Sequence, residues 1–80
     1  MVEIDRSRMS WILYQDQEQY FISVVCGSVG IFEVSIKLLP EEVESYLKEG
    51  KEFIERFAKD VRFSTKSFSH RAIQDFRADL

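Results

Sequence analysis

Between residues 31 and 38 the chain alternates with a period of two, placing Phe32, Val34, Ile36 and Leu38 on one side and Glu33, Ser35 and Lys37 on the other. A strand with one face packed and one wet has this pattern. Val2, Ile4, Ile12, Ile22, Val24, Val25, Val29, Ile31, Val34 and Ile36 concentrate β-branched residues in the first half of the chain, where they favour strands. Strands are predicted at about 9–15, 19–26 and 31–38. They are joined by the turn Asp16-Gln17-Glu18-Gln19 and by Gly27-Ser28-Val29-Gly30. Connections this short make neighbouring strands antiparallel, so residues 9–38 form a three-stranded β-meander. Residues 1–8 mix acidic, basic and apolar side chains and are expected to be a flexible N-terminus.

The same alternation predicts register. A tight turn after the first strand sets Leu13 opposite Ile22 and Trp11 opposite Val24. For the third strand to present Phe32 and Val34 to the face that carries Val24, the second loop must hold an odd number of residues. Gly27 or Gly30 then takes the positive φ of a bulge.

From residue 40 the period changes to three and four. Val43, Tyr46, Leu47, Phe53, Ile54, Phe57, Ala58 and Val61 predict one long amphipathic helix over 40–62. Pro40 suits its first turn, and Glu41, Glu42 and Glu44 complement the positive end of its dipole. Gly50 lies on the apolar stripe, where it costs about 1 kcal/mol relative to Ala. A close approach to the sheet or a bend would account for it. Ser64-Thr65-Lys66-Ser67 is a connector, and a short helix over 69–79 follows with Ser69 as N-cap and Phe68 and Ile73 as a hydrophobic staple; an extended segment is the alternative. The architecture expected is an α+β domain spanning 1–80, with the long helix packed on the sheet. Its core would join Trp11, Leu13, Ile22, Val24, Phe32, Val34 and Ile36 to Leu47, Phe53, Ile54 and Phe57.

Charge and composition narrow the function. The 80 residues carry 11 Lys and Arg against 14 Asp and Glu, a net charge of -3, which disfavours non-specific binding to nucleic acid or anionic lipid. The longest stretch without a charge, Gln19 to Phe32, falls short of the ~20 apolar residues of a membrane-spanning helix, and the first residues lack the apolar core of a secretory signal. A cytoplasmic location and no membrane partner are expected. Cys26 and His70 are the only residues of their types, so a disulfide is excluded within the chain and neither a zinc site nor any other cofactor is expected. Domains this small usually need a supplement to their core, and oligomerisation is the one left.

The candidate chemistry is sparse. A Cys26–His70 nucleophile and base would need a thiol that instead falls on the packed side of its strand, where cysteine is an inert small hydrophobe. Glu41, Glu44 and Glu52 lie among lysines on the polar side of the helix and suit a solvated face better than an acid–base pair. The Gly27–Gly30 loop joins two strands, whereas phosphate-cradling loops lead into helices. The chain is therefore expected to be non-enzymatic, an interaction or regulatory domain acting as a homodimer on an unidentified protein partner.

Two surfaces are candidates. Arg62, Lys66, Arg71 and Arg77 make the C-terminal part basic and could meet an acidic partner. Interleaved with Phe63 and Phe68, they are also what a single-stranded nucleic-acid binder uses, the alternative reading. A small antitoxin-like or immunity-like protein is a second alternative, by analogy of plan alone. Ile12, Tyr14, Phe21, Val25 and Ile31 lie on the sheet face that one helix cannot cover, and a second copy is expected to cover them, with residues 68–80 folded back over the face as the alternative.

Overall fold

A computed structural model describes residues 1–27, 30, 32–74 and 76. The protein is α+β, with an antiparallel four-stranded sheet in the order β1-β2-β3-β4 followed by helices. The strands are β1 (Val2–Ser7), β2 (Trp11–Asp16), β3 (Gln19–Cys26) and β4 (Phe32–Lys37). The helices are α1 (Pro40–Glu49), α2 (Lys51–Phe63) and the single turn α3 (Thr65–Phe68), which runs into a 3-10 turn at Ser69–Arg71.

The register is as the alternation predicts. Leu13 pairs with Ile22 and Trp11 with Val24, while Cys26 pairs with Phe32 and Val24 with Val34. Five residues therefore separate β3 from β4, and Gly27 (φ 101) and Gly30 (φ 108) both take positive φ. At Gly27 space matters too, since a Cβ there would come within 2.2 Å of the Gly30 carbonyl oxygen.

The expected flexible N-terminus is instead β1, a fourth strand paired with β2. A bulge between Glu3 and Asp5 interrupts it, and a hairpin turn with Met9 at φ 61 connects the two strands. Backbone pairing fixes this segment although Val2 and Ile4 stay exposed. As the open edge of the sheet it carries the bulge and the charges of Glu3, Asp5 and Arg6, features that discourage further pairing.

The expected single helix over 40–62 is two. Gly50, at φ 72 and ψ -146, ends α1 and starts α2. That backbone region is essentially restricted to glycine. No atom lies within 4 Å of where a Cβ would stand, so conformation rather than close approach explains the residue. α2 supplies Ile54, Phe57, Ala58 and Val61 to the core beneath Trp11, Leu13, Ile22, Val24, Val34 and Ile36. Two members of the expected core are outside it, Phe32 at 47% and Leu47 at 68% exposure, and Phe53 is only partly buried, stacked on Phe57. α1 packs against the core through Val43 and Tyr46, which leaves Leu47 on its open side.

The expected helix over 69–79 is not formed across its first half. The predicted connector contains the turn of helix instead, and Ser69 Oγ donates back to the Lys66 carbonyl rather than capping a following helix. The chain then runs extended along the outer edge of β4, where Ala72 bridges Ile36 and the Ile73 amide donates to the Ser35 carbonyl at 2.7 Å. Residues 75 and 77–79 of that expected helix lie outside the described residues. Among the described residues, no helix is long and apolar enough to cross a membrane.

Candidate interaction surfaces

Cross-strand partners share a face, so the pairings order the face turned away from α2 into rows. Glu3, Tyr14, Phe21 and Lys37 form one row; Arg6, Ile12, Ser23 and Ser35 form the next; Val25 and Glu33 form the third. The first row is covered from within. After passing the edge of β4 the chain brings Phe76 over this face, its ring centroid 5.6 Å from that of Tyr14 and 5.7 Å from that of Phe21. Tyr14 is buried as a result. Burial raises its phenol pKa, with Glu3 and Glu33 adding to the rise and Arg6 opposing it.

The second and third rows lie roughly 7 and 14 Å further along, at two residues per row. The Ser23 and Ser35 hydroxyls satisfy each other at 2.8 Å and are buried. Ile12 and Val25 are half-buried. With the turn Arg8-Met9-Ser10 they border a concavity of about 510 Å³, rimmed by Arg6, Arg8 and Glu33. Of the five residues expected at a dimer face, Tyr14 and Phe21 thus lie under Phe76, Ile12 and Val25 line this concavity, and Ile31 lies outside the described residues.

Among the described residues, the expected basic surface is divided. Arg62 turns inward from the end of α2, donating from Nε to the Val25 carbonyl at 3.1 Å and from Nη2 to Ser10 Oγ. Arg71 forks onto the Glu42 carboxylate at 2.6 and 3.1 Å and also reaches the Lys37 carbonyl. Its guanidinium lies within 5.9 Å of the Phe57 and Phe68 ring centroids, and the pair is largely shielded from solvent. Glu42 also accepts the Leu39 amide at 2.7 Å, so one carboxylate caps α1 and ties it to the 3-10 turn. Lys66 is exposed, and Arg77 lies outside the described residues.

The residues of the refused Cys–His pair are far apart. Cys26 faces Phe32 at the start of β4, while His70 sits beside Arg71, which is bonded to Lys37 at its other end. Those ends are about 16 Å apart along an extended strand. The thiol is buried and donates to the Val24 carbonyl. Burial pushes its pKa up, partly offset by the Arg62 charge and a Thr65 hydrogen bond.

Phe63, at the end of α2, is 75% exposed. With Phe32, Gly27, Arg62 and Thr65 it lines a second concavity of about 350 Å³ at the loop end of the sheet. A signal for this was present, because Phe63 lies about 200° around the helix from Val61, off the apolar stripe. Lys59, one turn before it on the same face, is exposed. Comparisons with protein-family models, with curated proteins and with solved structures find no match to the chain.

Proposed function

We propose that the protein is a small non-enzymatic interaction module that binds an acidic, aromatic- or aliphatic-bearing segment of a protein partner at the Phe32–Phe63 end. The observation that carries this reading is the exposure of two aromatic rings on either side of one concavity. Exposed aromatics bordering a pocket are the groups that supply most of the energy in protein interfaces. Lys59 and Lys66, both exposed nearby in sequence, favour a partner of negative charge through steering rather than raw affinity. Occupying a partner's surface in this way is how an antitoxin-like or immunity-like regulator would act.

The nucleic-acid reading draws less support, because Arg62 and Arg71 spend their guanidiniums on internal acceptors. Selection from a random displayed-peptide library tests both readings. Selected peptides should share an acidic residue beside an apolar one, and Phe63→Ser should weaken them by about 2 kcal/mol, the scale of an interface hot spot. Peptides without that signature, or indifferent to Phe63→Ser, would contradict the assignment. A random oligonucleotide bound with steep salt dependence would move the function to nucleic acid.

A further inference from the structure

We infer that the half of the second sheet face left open by the described residues pairs with the same half of a second copy, about a two-fold axis running parallel to the strands. The inference goes beyond the partner-binding end, which uses other residues. Phe76 shields the Tyr14–Phe21 row, and the remaining rows present Ile12 and Val25 as the floor of a concavity of about 510 Å³. Met9, at its rim, is 81% exposed. A second copy supplies a Met9 to each concavity, and an isologous pairing of this kind closes on itself.

Charge selects the axis. Arg8 and Arg6, the latter ion-paired with Glu3 at 3.2 Å, leave the β1 side of the concavity net positive, and Glu33 makes the β4 side negative, across three strand spacings or roughly 14 Å. Two copies can meet face to face by a two-fold lying in the interface plane. If that axis runs across the strands, each Arg pair meets the partner's Arg pair and each Glu33 meets its own image. With the axis along the strands, the β1 side of one copy lies over the β4 side of the other, and both Arg–Glu33 combinations become attractive. Like charges brought together repel, so the charges favour the second arrangement. Phe76 stands between the sheets at the opposite end of the face, which confines the contact to the Ile12 and Val25 rows.

Sedimentation equilibrium on the intact chain, repeated on charge-reversed variants, tests this. The wild type should sediment at twice 9.5 kDa. Glu33→Arg alone, and Arg6→Glu with Arg8→Glu, should each weaken association at least tenfold while circular dichroism shows an unchanged fold. An equimolar mixture of the two variants should dimerise again, because every cross-interface pair is then attractive. Phe63→Ser should leave the dimer intact, separating this surface from the partner-binding end. A wild-type monomer at high micromolar concentration, variants that associate like the wild type, or a mixture that stays monomeric would each overturn the inference.

Discussion

Cys26 illustrates how a side chain that could carry chemistry is turned into structure. Its thiol is buried and bonded to the Val24 carbonyl, and its pKa is raised from the ordinary 9.0 chiefly by that burial. Tyr14 and Tyr46 are raised from 10.0 for the same main reason. A raised pKa on these groups means that the folded chain holds its proton more tightly than the unfolded chain. The contribution to stability is complete below the unfolded value and is lost as pH climbs through the folded one. Urea unfolding should therefore give a lower midpoint at pH 10 than at pH 8, and Cys26→Val should reduce the difference. A midpoint that rises above pH 9 would contradict the burial of these groups. The burial of Cys26 was legible in the sequence, since its place on an alternating strand already set it on the packed side. The roles of Arg62 and Arg71 were not. A basic residue in a run of basic residues carries no mark of whether its guanidinium turns to solvent or to a carbonyl 37 positions away in sequence, as Arg62 does with Val25.

At the scale of elements, strands and their register could be derived because period two admits only one solution once the turns are placed. Leu13 with Ile22 and the odd loop before Phe32 follow from it. β1 was concealed because its order comes from backbone pairing to β2 while its apolar residues Val2 and Ile4 remain exposed. The helix break was concealed for a different reason. An apolar stripe continues across Gly50 in sequence, and nothing in periodicity reports a backbone at φ 72 and ψ -146. Here two physical effects predict opposite signs. In a continuous helix, Gly50→Ala would stabilise by about 1 kcal/mol through propensity. At the observed conformation alanine is strained, and the substitution should instead cost about 1–3 kcal/mol. Thermal or urea unfolding of Gly50→Ala decides between them, and a more stable variant would mean that α1 and α2 form one helix.

The whole molecule is arranged around a sheet with two faces to cover and few residues to do it. α2 and the sheet bury one face as a single cluster. The other receives Phe76, carried there because the segment after the 3-10 turn runs along β4 through Ala72 and Ile73. The need to cover Ile12, Tyr14, Phe21 and Val25 was legible from alternation, as were two possible covers, a second copy or residues 68–80; how the cover is divided was not, because it depends on an extended chain turning the β4 edge. That division underlies the two proposals, in which the Ile12–Val25 half meets a second copy and the Phe32–Phe63 end meets a partner. Its most direct test is a nuclear Overhauser spectrum of the aromatic side chains. The account predicts cross-peaks from the Phe76 ring to the rings of both Tyr14 and Phe21, whose centroids lie 5.6 and 5.7 Å away. Phe76 resonances at unstructured positions, with no cross-peak to either ring, would contradict it.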